Sequence, residues 1–180
     1  MTEIKISLTD AALQILPQVG VDPFKYGPAY DGESVGLDLY NTGPDIQIPG
    51  RNKWTAFEEP TLLIPTGVRV CLPKNTVALI KERGSITKSG LIARAGVIDP
   101  GYTGEIFVNL VNIGERLTSL PTGCKLPVQL IVLQCHQQFS TVDYSEYLRL
   151  TNKSLRNDGS VGSSDLEQGA STQDGGDESQ

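Results

Sequence analysis

The chain has 180 residues, a formal net charge of −6, 38% hydrophobic and 20% charged side chains, 19 Gly and 11 Pro. A chain of that length buries about two thirds of its unfolded surface around one core, and its glycine and proline content leaves little room for long helices. Six of the 21 acidic residues lie in 157–180, which has no Lys or Arg, so the remainder is balanced at 15 against 15 and offers no broad basic face for nucleic acid.

No apolar run reaches 18 residues, and the start MTEIKISLTDAAL carries acids where a secretion signal needs a basic, then apolar, stretch. This predicts a soluble, cytosolic chain with no membrane partner. Residues 1–33 read as an irregular N-terminal arm, with one short helix around Thr9–Leu16 followed by the turn-rich GVDPFKYGPAYDGES. From Gly36 to Phe139 short apolar or alternating runs follow one another: GLDLY, PTLLIP, GVRVCLP, TVALIKE, LIARAGVI, GEIFVNLVN and KLPVQLIVLQC. They are strands separated by turn signals such as NTGPD, LPKN, DPGYTG and LPTG, at the spacing of an antiparallel sandwich or barrel. Residues 41–60 hold Trp54, the one tryptophan, and read as a surface loop or insertion. After Tyr147 the chain turns polar, and the serine- and glycine-rich end has too few apolar side chains to offset the entropy of ordering. The domain expectation is therefore an arm over 1–33, a β domain over 34–150, and a flexible arm with an acidic tail over 151–180.

Three segments carry chemistry. Arg94–Gly104, RAGVIDPGYTG, ends an apolar strand in an acid, and Asp99-Pro100-Gly101-Tyr102 is a type II turn sequence; alone, Asp99 there simply caps the turn. Lys81-Glu82-Arg83-Gly84-Ser85 sets a guanidinium, a glycine and a hydroxyl side by side, which suits a phosphate oxyanion as well as it suits a charged hairpin end. Arg156 with Gly159, Gly162, Ser163 and Ser164 could wrap phosphate oxygens, or serve as a linker. Cys71, Cys124 and Cys135 are odd in number and lack metal-type spacing, and with His136 as the one histidine they read as reduced thiols rather than a ligand set or a triad.

Together and in this order, these segments resemble the trimeric dUTPase family, within the superfamily that also contains dCTP deaminases. Gly36-Leu37-Asp38-Leu39 matches the first of five family motifs, Arg83-Gly84-Ser85-Ile86 the second, and Gly96-Val97-Ile98-Asp99-Pro100-Gly101-Tyr102-Thr103-Gly104-Glu105 the third and most specific. The fourth is looser in Gly123–Leu130, with one extra residue before Gln129, and the fifth is degraded to Arg156–Asp165.

The resemblance implies an all-β, distorted jelly-roll-like barrel, homotrimeric with shared active sites and a flexible C-terminal arm. It implies hydrolysis of dUTP to dUMP and pyrophosphate, with Asp99 deprotonating the water that attacks the α-phosphorus and Mg²⁺ clamping the triphosphate. By the same analogy Asp38 supports the metal through water, Arg83, Ser85 and Gln129 face the phosphates, and Tyr102 packs on the deoxyribose. A hairpin over Arg94, Ala95, Gly96 and Val97 reads the pyrimidine edge with its backbone, and Arg156 with Gly162, Ser163 and Ser164 closes over the γ-phosphate. Such an enzyme works in the cytoplasm, or in the host cytoplasm if the chain is viral.

Three positions depart from the family pattern. Gly84 stands where the family has serine, Val161 where it has the aromatic that covers the base, and the extra residue at Pro127-Val128 predicts a β-bulge that redirects Gln129. The alternatives are a dCTP deaminase-like or bifunctional enzyme, and a non-catalytic nucleotide-binding regulatory module. The deaminase needs a glutamate where this chain has Asn109, and an amide cannot shuttle that proton.

Overall fold

The computed structural model describes residues 4–30, 33–54, 62–135 and 139–151. The chain divides into two compact units, Met1–Gln137 and Gln138–Gln180. In the second, helix α2 (Tyr144–Thr151) starts where the Asp143 carboxylate accepts from the Glu146 N–H at 2.9 Å, the usual N-cap arrangement. The sequence pattern does not mark this helix.

The first unit is mostly β and jelly-roll-like, with one short helix and a few 3-10 turns. Each of the seven apolar runs forms strand: β2 (Leu37–Tyr40), β4 (Leu62–Pro65), β5 (Val68–Cys71), β6 (Thr76–Glu82), β7 (Leu91–Arg94) with β8 (Val97–Ile98), β9 (Phe107–Asn112) and β11 (Lys125–Gln134). Three short strands escape the pattern: β1 (Lys5–Leu8), β3 (Ile46–Ile48) and β10 (Thr118–Leu120). All pairings are antiparallel, in sheets ordered β2-β11-β6-β8, β4-β9-β7, β1-β5 and β10-β3.

Alternation drives the packing. Along β11, Leu126, Val128 and Leu130 are buried, and from the other sheet Ile64, Val108 and Leu110 meet them in one core with Leu39, Ile48 and Val68. Each such side chain contributes about 1.5–3 kcal/mol on burial.

The N-terminal segment is more regular than its glycines and prolines suggest. Strand β1 pairs with β5 from Lys5↔Cys71 to Leu8↔Val68, and helix α1 (Asp10–Ile15) is capped by Thr9, whose hydroxyl accepts from the Ala12 N–H at 3.3 Å. The expected helix is thus present, with Ala12 and Leu16 on its buried side. Residues 41–54 are likewise more than a surface loop, since β3 pairs with β10 and Ile48 is fully buried. Among the described residues no helix is long and apolar enough to cross a membrane.

Candidate active site

Strands β6, β11 and β2 build a charged platform. Gln129 lies opposite Asp38 on one side and Lys81 on the other, and directly opposed residues of antiparallel strands share a face. Arg83 follows β6 and donates its backbone N–H to the Pro127 carbonyl at 2.9 Å, which holds it beside that row.

Asp38 is buried, and a buried carboxylate persists as an anion only when its oxygens are paired. Its Oδ1 meets Arg83 Nε at 2.8 Å and its Oδ2 meets Lys125 Nζ at 2.8 Å. The Tyr26 hydroxyl donates to the Asp38 carbonyl, and burial raises its pKa, so it stays protonated as a donor. Hydrogen bonding to Asp38 in turn raises the Lys125 ammonium above its ordinary value of 10.5.

The expected bulge is present, with a different consequence. From Gln129↔Asp38 a regular ladder would bring Pro127 opposite Tyr40, yet Lys125 stands there, so β11 absorbs two residues. An even number preserves the alternation, and Gln129 keeps to the Lys125 side instead of being redirected. Its side chain occupies the space over Gly36, where a Cβ would fall 2.0 Å from Gln129 Oε1. Glycine in the first motif thus leaves room for the Gln129 side chain of the fourth, and a larger residue there would displace the end of that flexible side chain.

Beyond Arg83 the chain makes a 3-10 turn over Gly84–Lys88, closed by the Ile86 N–H to the Arg83 carbonyl at 2.9 Å and anchored by buried Ile86. Gly84 and Ser85 are exposed on it. A Cβ at Gly84 would meet nothing within 4 Å, so neither space nor backbone demands glycine there.

The hairpin expected at Arg94–Val97 is instead a corner between sheets, because β7 pairs with β9 while β8 pairs with β6. Ala95 and Gly96 turn it with φ of +59° and +101°, and the Gly96 carbonyl accepts from the Ile80 N–H at 2.8 Å. The Glu82 carboxylate accepts from the Ala93 N–H at 3.3 Å and pairs with Lys81 at 3.2 Å. Its pKa is lowered by a hydrogen bond from its own backbone and by these neighbours. Arg94 stands opposite Asn109, and Val97 is exposed.

The turn after β8 is closed by the Tyr102 N–H to the Asp99 carbonyl at 3.0 Å. Gly101 is not among the glycines with positive φ, so the turn is not the expected type II. Pro100 at the second position suits type I equally, which is why Pro-Gly misleads here. Asp99 is exposed, and its carboxylate has no hydrogen-bond or ion-pair partner among the described residues. Tyr102 is held by its own loop: its hydroxyl donates to the Glu105 carbonyl at 2.7 Å and its ring covers Gly104. The Glu105 carboxylate in turn accepts from the Gly67 N–H at 2.8 Å.

The platform and the turn stand apart within one chain. Ile98 is opposite Ala78, so Asp99 continues past it in the direction away from Arg83, and Arg83 lies five residues the other way. At strand rise that span alone is roughly 17 Å.

Lys125 and Tyr26 were not marked as site residues by sequence reading; Lys125 sits inside the fourth motif, while nothing local distinguishes Tyr26 in its turn-rich passage. Arg156, Val161, Gly162, Ser163, Ser164 and His136 lie outside the described residues. Among the described residues no three His, Cys, Asp or Glu side chains converge to hold a metal ion.

The model of the dUTPase family matches residues 28–165. The Pol polyprotein of equine infectious anemia virus (strain Wyoming) is 39% identical over 104 residues, covering 58% of this chain and 8% of the polyprotein, so the chain spans a small part of that relative's length. The deoxyuridine 5'-triphosphate nucleotidohydrolase of Dictyoglomus turgidum is 36% identical over 143 residues, 74% of this chain and 85% of that protein. Among solved structures, native EIAV dUTPase aligns with a TM-score of 0.57 at 29% identity, covering 79% of this chain and 98% of that one.

Proposed function

Because this chain belongs to the dUTPase family, we propose that it hydrolyses dUTP to dUMP and pyrophosphate, with Asp99 as the general base for attack of water on the α-phosphorus. The observation that carries this reading is the exposed Asp99 carboxylate, without a partner among the described residues, at the end of a strand and on a hydrogen-bonded turn. A base needs a free lone pair on a positioned backbone, and the turn holds the Asp99 backbone while leaving its carboxylate unpaired among the described residues.

Tyr102 serves as the sugar gate. With its ring over Gly104 and its hydroxyl bonded to the Glu105 carbonyl, it offers a wall held by its own loop and 43% exposed to solvent, against which a 2′-hydroxyl would have no room. The backbone of Arg94, Ala95, Gly96 and Val97 reads the pyrimidine, and Arg83, Ser85 and Gln129 engage the phosphates. Gly84 adds space on that side in place of the family hydroxyl. Val161 covers the base, and Arg156, Gly162, Ser163 and Ser164 close over the γ-phosphate.

Asp99 and Arg83 must act on phosphorus atoms only a few ångströms apart, yet a span of roughly 17 Å along β6 separates even Ala78 from Arg83. This separation supports a site shared between copies, in the homotrimer that the family resemblance implies.

Mg²⁺ belongs to this reading as an ion carried on the triphosphate. The donor set fits that arrangement: Asp38 is a single carboxylate whose oxygens already meet Arg83 and Lys125, with lone pairs left for a water rather than a vacant ligand cluster. When bound, the ion neutralises phosphate charge.

The test is pyrophosphate release from dUTP, dCTP, dTTP and UTP, with ammonia followed in parallel. Release from dUTP alone, without ammonia, is expected. In Asp99→Asn, turnover should fall by about 10²–10⁴-fold while binding of a non-hydrolysable dUTP analogue persists. Undiminished turnover in that variant would remove Asp99 from the mechanism.

A further inference from the structure

Asp38 is one carboxylate held by two cations. Its side chain is 8% exposed, whereas those of Arg83 and Lys125 are 29% and 40% exposed. Among the described residues Asp38 is the one carboxylate with which either cation forms an ion pair. One cation would neutralise it, so the trio carries a surplus of one positive charge.

The geometry distributes that charge unevenly. Arg83 uses Nε for Asp38, which leaves its two terminal nitrogens for other acceptors. Lys125 approaches the other oxygen from across the bulge, with its ammonium 5.6 Å from the centre of the Tyr40 ring and open to a cleft of about 230 Å³ between Tyr26 and Tyr40. If Lys125 were absent, Asp38 would cancel the charge of Arg83. With Lys125 present, Asp38 is satisfied from the far side and Arg83 keeps a net charge to offer an anion.

We propose that Lys125 is a polyphosphate-positioning residue, which shares the Asp38 carboxylate so that the charge of the Arg83 guanidinium is left uncompensated and available to the triphosphate. The inference rests on the dUTPase reading for the identity of the anion, but its electrostatics do not depend on the reaction. A ligand with more phosphate charge gains more from the surplus cation, so Lys125 separates triphosphate from monophosphate.

The test compares wild type, Lys125→Met and Lys125→Arg as full chains. Lys125→Met should raise KM for dUTP, and Kd for a non-hydrolysable dUTP analogue, about tenfold, the size expected for one partly screened charge. Inhibition by dUMP should change less than about twofold, kcat less than about threefold, and Lys125→Arg should restore the triphosphate affinity. A purely structural role predicts something else: dUMP and triphosphate weakened alike, and that outcome overturns the proposal, as does an unchanged KM. Calorimetric titration with inorganic tripolyphosphate separates the two readings. If wild type fails to hydrolyse dUTP yet Lys125→Met still binds tripolyphosphate more weakly than wild type, the enzyme reading fails and this one stands. Equal tripolyphosphate binding by the two proteins removes it.

Discussion

The β2-β11-β6 platform and the Asp99–Tyr102 turn solve opposite problems. On the platform, charged groups are satisfied before any ligand arrives: Asp38 holds Arg83 and Lys125, and Glu82 holds Lys81 and the Ala93 N–H. On the turn only the backbone and Tyr102 are satisfied, and Asp99 is left exposed without a partner among the described residues. Phosphate binding needs charges held in place against their mutual repulsion, whereas a general base needs an unspent lone pair. A single chain prepares both, in different places, and the proposed sharing of the site between copies would bring them to one nucleotide.

The sharpest way to break that comparison is complementation. Asp99→Asn and Arg83→Ala should each be nearly inactive alone. Co-refolded in equal amounts, they should recover about a quarter of wild-type activity, because a site drawing these residues from two different copies is intact with probability one half for each. Recovery is read as pyrophosphate release, with differently tagged chains to demonstrate mixed oligomers. Mixed oligomers without recovery would mean that the two residues serve one site from one chain.

How much of this could be read beforehand follows from the range of the forces involved. The long strands were legible because alternation between turn signals is a local property, and all seven runs became strand. Strands β1, β3 and β10 were not, since three or four residues carry too little pattern, and partners far along the chain create them. The resemblance brought Asp38, Arg83, Gln129 and Asp99 into view, but not their relation. Lys125 and Asp38 are 87 positions apart, and it takes a two-residue bulge to join them. The Ala95–Gly96 corner reads as a hairpin in sequence because the sheet that each flanking strand joins is decided by β6 and β9, not by the turn.

A smaller effect concerns pH. Because the folded state raises the Lys125 pKa, its pairing with Asp38 contributes stability that is fully present below the ordinary value of 10.5 and is lost as pH rises through that value and beyond. Partial exposure screens the pair, so the contribution is at most about 1 kcal/mol. Thermal denaturation of wild type and Lys125→Met from pH 8 to 12 should show the gap between their Tm values narrowing toward the alkaline end. A gap that is constant or widens would mean that Lys125 stabilises by packing its methylenes on Tyr40 rather than by charge.

The smallest effect lies at the corner. Ala95 adopts a φ of +59°, where an L-residue pays about 1–2 kcal/mol, and Gly96 beside it already carries +101° without strain. In Ala95→Gly the native strain disappears, while the unfolded chain gains freedom worth about 0.4–1 kcal/mol. The balance favours the variant by roughly 0.5 kcal/mol, or about 1–2 °C in Tm for a chain of this size. The exposed Ala95 methyl is not part of the core, so no cavity offsets that gain. Chemical denaturation should register the increase with an unchanged m-value. A loss of stability would show that the strain relieved at Ala95 is smaller than the freedom that glycine returns to the unfolded chain.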